Sequence, residues 1–196
     1  TCSNFASITN QGKTPNEFEY KLNEGTLAGN YNIEKKYGTL VITNSETKLT
    51  FAEGSPQGYN GMYDGDAHDA LTDLTVIGID GEEFVYSKDN NSNMKVEYKV
   101  GDNWTTDVQQ VTNVEDSKDI EIRVTVPNYD PLEGKITATV TKRNVTLTSG
   151  DGSKAYDGSA LKNETVTVGG DGFVKDEGAT CSNFASITNQ GKTPNE

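Results

Sequence analysis

The sequence predicts an all-β fold, and three of its features carry that reading. Apolar and polar residues alternate at a period of two in run after run, the pattern of a strand with one buried face. The runs are rich in Val, Ile and Thr and are bounded by Gly, Asn, Asp or Pro, with 20 glycines in 196 residues to supply turns. Helical periodicity is thin. "DAHDALTDL" spaces Ala67, Ala70, Leu71 and Leu74 as a helix would, but Thr and Asp dilute it, and "GFVKDEG" has room for one turn.

Taken in chain order, "GTLVIT" sets Leu40 and Ile42 on one face. "MKVEYKV" alternates Met94, Val96, Tyr98 and Val100 with Lys95, Glu97 and Lys99. "DIEIRVTV" points Ile120, Ile122, Val124 and Val126 one way and Glu121, Arg123 and Thr125 the other. "GKITATVT" does the same with Ile136, Ala138 and Val140, "NVTLTS" with Val145 and Leu147, and "ETVTV" with Val166 and Val168. Short alternating runs between turn residues read as half-buried strands of antiparallel sheets. The expected core holds Val96, Tyr98, Ile120, Ile122, Val124, Ile136, Ala138 and Val140, with Lys99, Glu121 and Arg123 in solvent. A slip of one residue would exchange the two sets.

The chain ends with the words it begins with. "TCSNFASITNQGKTPNE" runs from Thr1 to Glu17 and again from Thr180 to Glu196. Identity over seventeen positions points to a tandem array with a period of 179 residues. A weaker repeat lies inside the period. "MYDGDAHDAL" (62–71) echoes "AYDGSALKN" (155–163), "GNYNI" (29–33) echoes "PNYDP" (127–131), and "YGTLVITN" (37–44) echoes "EGKITATVTK" (133–142). Two diverged modules per period follow. Residues 47–144 form a complete central module, expected to be the best-ordered unit and to fold alone. Residues 145–196 are the N-terminal part of a split module, and residues 1–46 are the C-terminal part of the same module, displaced by the period. Unfinished sheets expose edges that recruit strands, so completion in trans, head to tail, is expected, with the two copies of the end segment competing for one site.

Apolar residues make up only 32% of the chain, which suits small cores in modules better than one thick core. The formal charge of −13 argues against nucleic acid and anionic membrane as partners. No stretch approaches the ~18 apolar residues of a membrane-spanning helix. Cys2 and Cys181 are one position in successive repeats, so each period carries a single thiol and no disulfide framework. Such a cysteine is expected as a small buried apolar residue, with interchain pairing as the alternative.

"KAYDGSAL", "GGDGFVKDEGAT", "FEYKLNEGTLAGNYNI" and "YGTLVIT" resemble the MBG/YDG-type repeat domains of bacterial surface adhesins, and the match covers the split module throughout. The central module, with "YDGDAH", "VEYKVGDNW" and "VPNYDPLEG", looks like the partner repeat found beside it. The resemblance implies elongated tandem β-sandwich or β-grasp-like modules strung as a stalk, an extracellular place at the cell surface, and a role in adhesion. Head-to-tail neighbouring repeats are the implied partners, with a host glycan or protein as the alternative. The family brings no catalytic residues. Modules in series should extend each period by roughly 70–90 Å.

Candidate chemistry is sparse, and no catalytic, cofactor or metal residue is assigned. In each Tyr-Asp-Gly triplet, Gly65 or Gly158 can take a positive φ, Asp64 or Asp157 can bond the turn backbone, and Tyr63 or Tyr156 can pack on a sheet edge or, in the functional alternative, stack on a sugar. Asp64, Asp66, Asp69 and Asp73 crowd together, but the calcium-loop spacing fails after the second Asp. His68, the only histidine, reads as an exposed residue beside a turn with no nucleophile to serve. "GGDGFVKDEG" reads as a loop, and Trp104 as a plug at the edge of the core, with an exposed binding platform as the alternative. An amide cross-link from Lys to Asn or Asp would need a buried acid that the sequence does not single out.

Overall fold

The structure, a computed structural model, describes residues 1–88 and 93–195. Among these residues it is all-β, with no α-helix and three 3₁₀ turns of three residues each. The strands in order are β1 (Cys2–Ser3), β2 (Gly12–Pro15), β3 (Glu19–Tyr20), β4 (Thr39–Ile42), β5 (Thr50–Phe51), β6 (Gln57–Gly58), β7 (Asn60–Met62), β8 (His68–Asp69), β9 (Leu71–Asp73), β10 (Thr75–Ile77) and β11 (Glu83–Val85). They continue with β12 (Lys95–Val100), β13 (Asn103–Thr105), β14 (Gln110–Val111), β15 (Lys118–Thr125), β16 (Leu132–Thr141), β17 (Val145–Ser149) and β18 (Val166–Gly170). The stretch with helical spacing is extended instead: β8 and β9 run through it, and Ala70, Leu71 and Leu74 are buried from strand positions. "GFVKDEG" forms turns without a helix.

The chain divides into two units. The first comprises residues 1–58, 71–109 and 119–136, the second residues 59–70, 110–118 and 137–196. In the first unit β12 pairs with β13 and β15, and β15 neighbours β16; a second sheet runs β11-β10-β5. Every core residue expected from the alternation is buried, while Lys99 and Glu121 are exposed and Arg123 is half-buried, so the register is the one the pattern dictates. Val100 departs from the pattern at 50% exposure, because it sits at the hairpin end opposite Asn103, past the covered part of the sheet.

Aromatic rings fill the space over glycines and tie the two sheets. The Phe51 ring of β5 lies over Gly134 of β16, where an added Cβ would come within 2.6 Å of it. Tyr129 lies edge-on to Phe84, its hydroxyl accepts from the Ile79 amide at 2.9 Å, and its ring occupies the space over Gly78. A strand glycine is a site of close approach, and the ring replaces the missing side chain. The N-terminal segment joins this unit through the β15–β16 turn. The Gln11 amide donates to Asn128 Oδ1, the Ser45 amide to the Asn128 carbonyl, and the Asn44 side chain to Asp130.

In the second unit β7 pairs with the C-terminal half of β16, and this pair is parallel, against the antiparallel expectation. The Tyr63 amide extends it by donating to the Thr141 carbonyl. β14 pairs with β8, and β17 forms a hairpin with β18 in which Leu147 stands opposite Val168. Both of those side chains are about half exposed. Among the described residues, every buried apolar side chain lies between Leu49 and Val140.

"GTLVIT" is β4, and its partner is β2, from the first copy of the repeated segment. Leu40 and Ile42 are half-buried, with Val41 exposed between them. Cys2 and Cys181 are both exposed, correcting the expectation of a buried residue. Cys2 lies in a two-residue strand whose side chains have no sheet packed over them.

Candidate functional site

The two Tyr-Asp-Gly turns, both in the second unit, are built alike at the backbone. Gly65 has φ +87° and Gly158 φ +79°, the left-handed region that glycine enters without a Cβ penalty. Asp64 Oδ1 accepts from the Asp66 amide at 3.0 Å, and Asp157 Oδ1 from the Ser159 amide at 2.9 Å. Each carboxylate therefore closes its own turn, as the sequence leads one to expect.

The turns differ in what the side chains meet. At the first, His68 Nε2 lies 3.0 Å from both oxygens of Asp64, and its ring stacks on Tyr59 with centroids 4.2 Å apart and planes 10° from parallel. His68 is thus half-buried and partnered, not the exposed residue expected. The imidazole and the Asp66 amide hold the Asp64 carboxyl below its usual range. Tyr63 is half-buried, and its hydroxyl donates to Glu177, a bond that pushes its phenol up. Arg143 ties this turn to the glycine loop: its guanidinium donates to the carbonyls of Tyr63, Asp171 and Gly172. The loop holds Gly170 and Gly172 at positive φ, and the Val174 side chain lies 3.6 Å from the Cβ position of Gly65. Two of the four clustered carboxylates are engaged by these contacts. Asp64 is committed to His68 and Asp66, and Asp69 accepts from Gln110 Nε2. No group of three His, Cys, Asp or Glu side chains among the described residues is placed to hold a metal ion.

At the second turn Tyr156 is 72% exposed, not packed on a sheet edge. Lys154 bonds Asp157 Oδ1 at 2.8 Å and Ser159 Oγ, and with the Ser159 amide it drives the Asp157 carboxyl far below the carboxylate range. Beside Tyr156 opens a groove of about 580 Å³, with one wall from residues 151–156 and 161–163 and the other from residues 185–195 of the second copy of the repeated segment. Asn195, one of its lining residues, donates to the carbonyls of Gly150 and Asn163, while Ser149 Oγ donates to the Asn195 carbonyl.

The first unit has a shallower groove of about 430 Å³, lined by Phe18, Tyr20, Tyr31 and Ile33 among others. The Phe18 ring lies tilted to Phe5 at 6.0 Å and edge-on to Tyr37 at 5.7 Å, and Lys35 lies 5.6 Å from the Tyr37 ring centre. On the solvent face of the central sheet, the Arg123 guanidinium lies 4.6 Å from the ring centre of half-buried Trp104. Arg123 also pairs with Glu97 at 2.9 Å. Lys95 and Arg123 together hold the Glu97 carboxyl low. Trp104 is therefore covered by a cation and is not a bare platform.

No helix among the described residues is long and apolar enough to cross a membrane. The chain matches no protein-family model, no curated protein and no solved structure.

Proposed function

We propose that the chain is a structural stalk and adhesion repeat of a long bacterial surface protein, with head-to-tail neighbouring repeats as its partners. One observation carries the reading. The flanks repeat the same seventeen residues at a spacing of 179, and those flanks hold strands but no buried apolar side chain among the described residues. Segments of that kind gain stability from a neighbour, as the units of a repeat array do. The −13 charge suits it, keeping separate arrays apart by repulsion. The test is X-ray scattering on chains carrying one, two and three periods. A constant increment of about 70–90 Å in maximum dimension per added period is expected from modules joined in series. A dimension that grows only as the cube root of mass would overturn it.

A glycan-binding repeat acting by avidity is the second reading, favoured by exposed Tyr156 among the residues that line the groove. On this reading the one-period chain binds members of a glycan array, and Tyr156→Ala abolishes that binding. No binding, or binding indifferent to Tyr156, removes it.

A further inference from the structure

The two copies of the repeated segment offer an internal comparison, because one sequence is held in two surroundings. Its local conformation agrees at the positions that can be matched. Asn4 and Asn183, the fourth residue of each copy, are left-handed at φ 50° and 61°. Ile8 Cδ1 lies 3.6 Å from the Cβ position of Gly12, and Ile187 Cδ1 lies 3.5 Å from that of Gly191. The left-handed fourth residue and the Ile–Gly contact therefore persist while the partners change.

Those partners use different atoms of the segment. In the first copy, Gly12–Pro15 forms the ladder with β4, and the Asn16 amide extends it by donating to the Gly38 carbonyl at 2.8 Å. In the second copy, the bonds run from Ile187, whose amide and carbonyl pair with Leu161, and from the Asn195 side chain and carbonyl to Ser149, Gly150 and Asn163. Asn195 corresponds to Asn16. The first partner takes its backbone amide, and the second takes its side chain and carbonyl.

Burial divides the same way. Gly12 and Thr14 are half-buried where β4 is present, while their counterparts Gly191 and Thr193 are exposed. Phe5 is 60% exposed in the first copy, while its counterpart Phe184 is half-buried in the second. Residues 191–194, which correspond to the ladder residues of the first copy, line the groove of the second unit. Asn195 Oδ1 is also buried there without a hydrogen-bond partner among the described residues. At Gly12 and Thr14 the first surrounding covers what the second leaves bare, and at Phe5 the reverse holds.

We propose that this segment is a two-sided joint. In consecutive repeats a single copy pairs through Ile187 with the half-module before it. Through Gly191–Pro194 and the Asn195 amide it pairs with the β4 strand of the repeat that follows. The occupant of the groove beside Tyr156 is then a second copy of this chain's own sequence, the residues equivalent to 18–46. The two partners do not compete, in contrast to the competition expected from sequence alone. The inference rests on the array reading above.

Amide hydrogen exchange by NMR, on the one-period chain and on a chain of two consecutive periods, tests it. In the one-period chain, Ile187 and Asn16 are protected and Asn195 exchanges as an open amide. In the two-period chain, the Asn195 amide at the internal joint gains the protection of Asn16 while Ile187 keeps its own. Asn195 staying open, or Ile187 losing protection as Asn195 gains it, overturns the joint. Either failure can occur while scattering still shows linear growth, so it is distinguishable from failure of the stalk reading.

Discussion

The stretch from Leu49 to Val140 and the flanks on either side of it are made of similar strands, yet they hold themselves together differently. In the middle, Ile122, Val124 and Ile136 are 2% exposed or less, and β12, β15 and β16 each bury one face. In the flanks, the β17–β18 hairpin and the β2–β4 pair have complete ladders, but Leu147, Val168 and Val41 remain about half exposed. Backbone pairing alone is therefore no measure of a finished module. A two-stranded ribbon without a covered face is marginal in water. What differs is burial: among the described residues, the flanks hold no buried apolar side chain.

The largest expected effect separates the two regions directly. Ile122→Ala should lower the urea-unfolding free energy by about 2–5 kcal/mol through lost transfer energy and a residual cavity. Leu147→Ala should cost much less in the one-period chain, because 44% of its surface is already in water. Equal costs would erase the contrast.

Glycine substitutions sharpen it next. Gly134→Ala drives a methyl into the Phe51 ring, with an expected cost of about 1–3 kcal/mol from overpacking. Gly170→Ala forces a side chain at φ +72° into the Asn144 carbonyl, and should open the β17–β18 hairpin without changing unfolding of the central sheet. Gly29→Ala, which meets open space, is the neutral control for both.

Arg143→Ala removes three donors to backbone carbonyls of the first turn and the glycine loop. It should cost about 1–3 kcal/mol, and Arg143→Lys should recover only part of it, since one ammonium cannot reproduce the planar fork. Thermal unfolding followed by hydrogen exchange in the 171–174 loop reads this effect.

The smallest effect is the pH dependence of the turns. Asp64 and Asp157 have depressed carboxyl pKa values, so their contribution is present above the unfolded carboxylate range. It is lost as pH falls through their lower folded values. Stability should fall on acidification, and Asp64→Asn and Asp157→Asn should each reduce the slope. A slope unchanged in both would contradict the bonding described.

How far the sequence could be read follows from which physics was local. The period of two in β12, β15 and β16 set the buried face of Val96, Ile122 and Ala138, because one face must leave water. Gly65 and Gly158 were legible because a Tyr-Asp-Gly turn needs a residue free of Cβ strain. Val100 was not legible, since sheet coverage ends before the strand does. Nor was the stack of His68 on Tyr59, which depends on the fold between them. The Arg143 brace left no mark in the sequence, because its acceptors are main-chain carbonyls that any residue supplies. The parallel β7–β16 pair was hidden in a three-residue strand, Asn60–Met62, too short to show a period. Exposed Cys2 and Cys181 show that residue type alone is a poor guide to burial where no second layer exists.

The central claim is that the flanks are halves completed by the neighbouring repeat, and thiol accessibility at Val168 tests it most directly. With Cys2 and Cys181 and their repeat equivalents changed to Ser, Val168→Cys is placed in both periods of a two-period chain and its alkylation rate is followed. The account predicts two rates: the inner thiol shielded by the residues that follow the joint, and the outer one as reactive as in the one-period chain. Two thiols that react equally fast would contradict it.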